Sequence, residues 1–216
     1  MVPEMDGKIM NYKIDRAVCI NLDRRTDRWA ECQPEFAKLW LPVQRYSAIS
    51  QPNPNKGLCL STANVIEQAK NDGLSNVLVL EDDIEFIGLE NLVDPPADFD
   101  LYYWGYVHHS VSTIKVVDRW LQLTSACCGT HAVIYAAHVF QEVIDGLRAT
   151  SDTIDGHLWK TFQHRGKVYC TNPMVAVQRN SHSDLSDEAY RHFMRDCIVN
   201  QYSAFAVNQG ARPLSA

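Results

Sequence analysis

Three consecutive carboxylates, Glu81, Asp82 and Asp83, follow four apolar residues, Val77, Leu78, Val79 and Leu80. An apolar run of this kind fits a strand covered on both faces, as in parallel sheets flanked by helices, where ligands gather just beyond the carboxyl ends of the strands. Side chains alternate along an extended segment, so Glu81 and Asp83 are expected to point one way and Asp82 the other. That leaves a spaced pair able to share one hard cation. Clustered carboxylates raise one another's pKa, and such a site is stable at neutral pH mainly when a cation or an arginine occupies it. The plainer reading is a solvated acidic turn, because acidic triplets are common on protein surfaces.

The rest of the chain must supply the scaffold for that cluster. With 216 residues, 46% of them hydrophobic and 10% aromatic, it can bury a sizeable core, which excludes disorder throughout and suits one domain. The expected limits are an extension over residues 1–15, a domain over 16–200 and a tail over 201–216. A formal charge of −6 and a pI near 5.7 argue against a general nucleic-acid-binding surface, although a net count does not reveal a local basic groove. The apolar stretches are too short to span a bilayer, and Pro3, Glu4, Asp6 and Gly7 stand where a cleavable signal would need apolar residues. A cytoplasmic location, bacterial or in a host cell, is the expectation. The seven cysteines are an odd number, and Cys19, Cys59 and Cys170 lie in apolar contexts that suit small buried hydrophobes in a reducing compartment. Cys127 and Cys128 are adjacent and lack the spacing of a zinc knuckle.

Periodicity gives the alternation of an α/β chain. Residues 17–22 read as a strand, followed by a charged run over 23–28 and a helix carrying Trp29, Cys32, Phe36 and Leu39 on one face. Residues 43–49 suggest a second strand. Proline, asparagine and glycine make 51–57 a loop, after which Ser61 or Thr62 caps a helix that Asn71, Asp72 and Gly73 stop. Further strands are expected at 99–104, 131–135 and 168–171. Val139, Val143, Ile144 and Leu147 mark one later helix, and Ile154, Leu158, Trp159 and Phe162 another. A polar stretch follows Pro173, with a last helix near 188–197. No internal repeat or low-complexity tract is present.

The segment Cys19-Ile20-Asn21-Leu22-Asp23-Arg24-Arg25-Thr26-Asp27-Arg28-Trp29 resembles the opening signature of glycosyltransferase family 25, which includes lipooligosaccharide and collagen galactosyltransferases. Further blocks follow in the family's order: Gly57-Leu58-Cys59-Leu60-Ser61 with Asn64-Val65-Ile66, then Leu80-Glu81-Asp82-Asp83, and Gly129-Thr130-His131-Ala132-Val133-Ile134-Tyr135. Ile154-Asp155 comes next, then Val168-Tyr169 through Pro173 to Gln178. The resemblance covers roughly residues 16–185 and implies a GT-A-like, Rossmann-type mixed sheet flanked by helices, binding a nucleotide sugar and usually a divalent cation. The chain departs from the family at Thr62, where a histidine commonly follows the serine, and its compactness leaves little room for acceptor-binding insertions.

On that resemblance the expected activity is metal-dependent, inverting transfer of a hexose, galactose or glucose, from a UDP-sugar to a hydroxyl of a glycan, as in lipopolysaccharide biosynthesis. A bound Mn²⁺ or Mg²⁺ neutralises the departing diphosphate, with Asp83 as first ligand, Glu81 as second and His182 as a late third. Asn21, Arg24, Arg25, Ser47, Asn64, Glu81, Asp82 and His131 are expected to face the donor. Arginine suits phosphate through its planar fork of donors, while Arg28 is assigned to structural ion pairs. Inversion needs a base to take the acceptor's proton, and Asp155 is the candidate, with Asp152 one helical turn earlier. The plainer reading makes Asp152 a helix cap and gives Asp155 only the favourable helix terminus. Three alternatives stay open: a phage or viral enzyme acting on modified DNA or protein, a metal-dependent phosphohydrolase or nucleotidyltransferase, and a nucleotide-sugar-binding module without turnover.

Overall fold

The apolar run before the carboxylates is a strand buried on both faces. In the computed structural model, which describes residues 11–108 and 114–179, Val77 and Val79 join one core cluster while Leu78 and Leu80 join another on the opposite side of the sheet. The chain runs β1 (Ala17–Asn21), α1 (Thr26–Phe36), β2 (Val43–Ser47), α2 (Pro54–Asn71), β3 (Asn76–Glu81), β4 (Ile84–Phe86), β5 (Leu101–Tyr103) and β6 (Val107–His108). It continues through β7 (Ile114–Val117), β8 (Trp120–Leu123), β9 (Cys127–Cys128), β10 (Ala132–Ala136), α3 (Phe140–Ala149), α4 (Ile154–Thr161), β11 (Val168–Thr171) and β12 (Ala176–Gln178). Eight strands form one mixed sheet in the order β2-β1-β3-β10-β5-β11-β8-β7, and β4 pairs with β12, and β6 with β9, in two small ribbons.

This is a mixed α/β fold with helices on both faces of the sheet. Residues of α2, α3 and α4 fill one core with Val18, Ile20, Val79 and Val133. Cys32 and Phe36 of α1 fill the other with Cys19, Leu80 and Ile134. Strands β1, β2 and β3 are parallel, so Asn21, Ser47 and Glu81 end on one edge. Strand β10 is antiparallel to β3 and starts at that same edge, where the Glu81 N–H donates to the His131 carbonyl at 3.1 Å. No helix among the described residues is long and apolar enough to cross a membrane.

Strand β11 coincides with residues 168–171 as read from the sequence, and β1, β2, β5 and β10 lie within a residue or two of their expected places. Helix α2 does not. It begins at Pro54, inside the stretch read as a loop, because the Asn53 side chain caps it by accepting from the Asn55 and Lys56 N–H groups at 3.0 and 3.4 Å. Proline at the first helical position gives up a donor that would be unpaired there anyway, so the residues that suggest a loop here start a helix. Ser61 and Thr62 are therefore interior helix residues, not caps. The β7–β8 hairpin and the β4–β12 ribbon had no sequence counterpart, and the helix near 188–197 lies outside the described residues.

Gly57 shows how tightly α2 is seated. A Cβ there would lie 2.4 Å from the Ile49 carbonyl oxygen, a backbone atom that cannot swing aside. Nearby, the Lys56 ammonium donates to the Arg148 and Thr150 carbonyls at 2.7 and 3.0 Å, tying the start of α2 to the end of α3. In an open helix Gly57→Ala would stabilise by about 1 kcal/mol. Here the clash reverses the sign, and urea denaturation should show a loss of about 1–3 kcal/mol. A more stable Ala variant would refute the close approach.

Candidate functional site

The strand edge opens into a cleft of about 240 Å³. Glu81, Asp82 and Asp83 form part of its wall, with Arg24 and Arg28 from the β1–α1 region, residues 48–51 after β2, the start of α2, residues 128–130 before β10, and Asp155 at the start of α4. Four carboxylates and two guanidiniums therefore share one depression.

The carboxylates divide into two groups, and the division differs from the one expected. Strand β3 ends at Glu81, and Asp82 and Asp83 form a turn into β4, so strand alternation no longer governs them. Both turn towards α1. Arg28 Nη1 donates to Asp82 Oδ1 at 2.7 Å, and Nη2 to Asp83 Oδ2 at 3.3 Å. Asn21 Nδ2 donates to Asp82 Oδ2 at 2.7 Å, which occupies the second oxygen. From the other side of the turn, the Arg179 N–H donates to the Asp83 carbonyl at 2.7 Å and its Nη2 to the Asp82 carbonyl at 3.0 Å. Burial pushes the Asp82 and Asp83 carboxyls up, and the Arg28 charge pulls both back down. The pair expected on one strand face, Glu81 with Asp83, is thus replaced by Asp82 with Asp83, held by an arginine.

Glu81 points to the α2 and α4 side. The Thr130 hydroxyl donates to its Oε1 at 2.6 Å, and burial, reinforced by the Asp83 charge, pushes its carboxyl up to about 8. Asp155 also stands in the cleft. Its Oδ1 accepts from the Gly129 N–H at 2.9 Å, and burial pushes it up to about 6 against that bond. The helix cap is Thr153, whose Oγ1 accepts from the Gly156 N–H at 3.0 Å, so Asp155 is not used for capping.

Of the residues expected from the sequence, Arg24, Glu81, Asp82, Asp83 and Asp155 line the cleft, and six others do not. Asn21 is buried beneath it, bridging Asp82 to Arg45, whose Nη2 donates to Asn21 Oδ1 at 2.7 Å. Arg25 forks onto Asp27 with Nη2–Oδ2 at 2.9 Å. The Ser47 hydroxyl donates to Asp23 Oδ1 at 2.7 Å. Asn64 donates to the Tyr46 hydroxyl at 3.2 Å and accepts from Arg148 at 3.1 Å, on the side of α2 facing α3. Asp152 is exposed, pairs with Lys160 at 2.8 Å and does not line the cleft. His131 is fully buried, with Nε2 3.3 Å from the Ala176 carbonyl oxygen, and burial lowers it to about 4, so it is neutral core material. His182 lies outside the described residues.

Sequence reading missed Thr130, the Gly129 N–H and the residues 48–51. Gly129 and Thr130 immediately precede an apolar strand that starts at the carboxylate edge, which is the available signal. Residues 48–51 carry none, because only the fold brings them over the cleft. Among the described residues, no group of three or more His, Cys, Asp and Glu side chains is arranged to hold a metal ion by itself. Although Glu81 and Asp83 face different sides, they stay close enough for the Asp83 charge to raise Glu81, and Asp83 Oδ1 is buried without a hydrogen-bond partner among those residues, so the two could still share an ion. Two carboxylates fit an ion such as Mg²⁺ that keeps waters and takes further oxygens from substrate phosphates.

No protein-family profile matches the chain, and no curated protein matches it in sequence. Its fold matches a solved structure of a glycosyltransferase involved in the glycosylation of the major capsid of PBCV-1, with TM-score 0.54 and 10% identity, covering 83% of this chain and 97% of that one. A197 from STIV is more distant, with TM-score 0.40, 9% identity and coverage of 80% and 99%. Mannose-1-phosphate geranyltransferase from Thermus thermophilus gives TM-score 0.35, 10% identity and coverage of 71% and 58%. What the first of these shares with this chain is the fold, a GT-A-like mixed sheet flanked by helices.

Two outcomes test the electrostatics. Arg28→Met strands two buried carboxylates and should cost about 3–5 kcal/mol in urea denaturation, partly recovered by adding Asp82→Asn and Asp83→Asn; an unchanged midpoint would show that the ion pairs contribute nothing. Because the folded-state pKa of Glu81 lies above its unfolded value, its contribution to stability is intact below about pH 4.5 and is lost as pH rises through about 8. In chelator, Glu81→Gln should match the parent's melting temperature at pH 4 and exceed it by a few degrees at pH 9. A gap of the same size at both pH values would contradict that titration.

Proposed function

We propose that this chain is an inverting glycosyltransferase of the family 25 type, moving a hexose from a UDP-sugar to an acceptor hydroxyl on a glycan. The observation that carries the reading is the cleft itself. Its carboxylates outnumber its guanidiniums by four to two, and it lies at the carboxyl ends of parallel strands, where α/β sheets bind ligands. The excess negative charge suits a divalent cation shared with a diphosphate better than a bare anion. Supporting it, a protein of this fold is a glycosyltransferase involved in glycosylating a viral capsid.

In this reading Glu81 and Asp83 hold Mn²⁺ or Mg²⁺, which when bound neutralises the charge of the departing diphosphate. Arg24, exposed at the mouth of the cleft, meets phosphate oxygens. Asp155 is the base. With Oδ1 taken by the Gly129 N–H, Oδ2 is left to accept the acceptor's proton as the new glycosidic bond forms. Burial makes it more basic than a free aspartate, but with its carboxyl pushed up only to about 6 it is still ionised at neutral pH, the compromise general-base catalysis favours. Thr130 fixes the orientation of Glu81 through its hydroxyl.

Incubating the protein with UDP-galactose or UDP-glucose, Mn²⁺ and oligosaccharide acceptors should release UDP and give a product of inverted anomeric configuration. Release of inorganic phosphate instead would favour a phosphohydrolase, and tight UDP binding without turnover a binding module. Asp155→Asn should lower kcat by about 10²–10⁴ with UDP affinity unchanged. The parent's rate should rise with pH through about 6 and then level off, since Asp155 must be ionised to work. A flat profile across pH 5–7 would remove Asp155 from that role.

A further inference from the structure

Part of the cleft wall is made by a strap, residues 48–51, which joins the first turns of α2 in lining it and contributes the apolar Ala48 and Ile49. Ser61 lies beneath it, fully buried and away from the cleft. Its hydroxyl donates to the Gly57 carbonyl at 2.7 Å and accepts from the Ile49 N–H at 2.8 Å. A serine that bonds back to the carbonyl four residues earlier usually gains its own helix little. This one also uses a lone pair of its oxygen to fasten a backbone donor of the strap, the Ile49 N–H, which lies beyond the end of β2.

Two contacts complete the fastening. The Ala48 N–H donates to the Asn21 carbonyl at 3.0 Å, joining the strap to the end of β1. The missing side chain of Gly57 lets the Ile49 carbonyl settle against the helix, where a Cβ would stand 2.4 Å away. The strap is thereby held on both sides, and it presents Ala48 and Ile49 to the cleft beside Ile20, Leu22 and Leu58. A nucleobase has apolar faces and a polar edge. Such an aliphatic wall suits the faces, while Ser50, Gln51 and Asn55 stand where an edge can be read.

We propose that Ser61 is a positioning residue for the donor nucleotide, its hydroxyl latching the 48–51 strap to α2 so that the base-binding wall is formed before the donor arrives. The proposal rests on the nucleotide-sugar reading of the cleft. A preformed wall spares the ligand the ordering of the strap on binding, so loss of the latch weakens ground-state binding and leaves the chemistry at Asp155 untouched.

The test uses the full chain, with UDP and GDP as calorimetric probes and amide hydrogen exchange as a separate readout. Ser61→Ala should speed exchange at residues 48–51 while β3 stays protected. It should weaken binding of the nucleotide the parent prefers by roughly tenfold, the scale of one lost hydrogen bond. In turnover with the matching sugar nucleotide it should raise the donor KM with kcat unchanged. Ser61→Thr, which keeps the hydroxyl, should restore both exchange and affinity. Faster exchange with unchanged affinity would overturn the link between latch and donor, and unchanged exchange would overturn the latch itself. Failure of the parent to bind either nucleotide would overturn the donor reading, and the role of Ser61 with it, whatever the exchange rates.

Discussion

The ion pairs of Arg28 with Asp82 and Asp83 hold together the half of the cleft on which the rest is built. The β3–β4 turn places two carboxylates side by side in a buried setting, and their repulsion alone would open it. A guanidinium with two donors facing two carboxylates suits that geometry in a way a lysine ammonium would not. The same arginine comes from α1, so the contact that neutralises the turn also docks the helix on the sheet. Asn21 extends the contact to β1 and Arg45, and Arg179 fastens the chain after β12 to the turn carbonyls. Three separate parts of the sequence meet on two residues.

Once Arg28 has claimed that side, the carboxylates of the cleft have unequal freedom. Asp82 has both oxygens occupied and serves as a strut. Asp83 keeps one oxygen, Oδ1, without a hydrogen-bond partner among the described residues. Among the described residues Glu81 is bonded by a hydroxyl and Asp155 by a backbone N–H, and burial raises both. The turn at Asp82 creates this division, because it sends the two aspartates to the α1 side and leaves Glu81 facing α2 and α4. Environments that push neighbouring acids to different pKa values are how one site separates charge-holding from proton-accepting roles.

Much of this was legible in the sequence where one physical signal dominated. Doubly buried strands announce themselves as unbroken apolar runs, so β1, β3 and β11 stood out. Reading failed where one residue type serves two structures. Asn53, Pro54 and Gly57 are loop formers by composition, yet here they are a cap, a first helical residue and a point of close approach. Strand alternation correctly orders residues 77–81 and then misplaces Asp82 and Asp83, because nothing in an acidic triplet says where the strand stops. Asn21, Arg25, Ser47, Asn64 and Asp152 are polar residues near motif positions that spend their hydrogen bonds on neighbours, and those neighbours are distant in sequence or exposed on the surface. Tyr46, Arg45 and Lys160 could be recognised as their partners only after the chain had folded.

An acid such as Glu81 is a poor choice for stability alone. Placed on the α2 and α4 side with no ion pair of its own among the described residues, it gives up its proton only near pH 8, because burial and the nearby Asp83 and Asp155 charges disfavour ionisation. A glutamine would accept the Thr130 hydroxyl equally well and carry no charge. The acids lining the cleft outnumber Arg24 and Arg28 there, although Arg179 also lowers the pKa of Asp83, so positive charge in the cleft is short. A ligand bearing that charge, or bringing a cation with it, gains the binding energy that the acidic cleft withholds from folding. Arg28 satisfies the two aspartates of the turn, so the acids of the cleft left without a guanidinium partner among the described residues are Glu81 and Asp155.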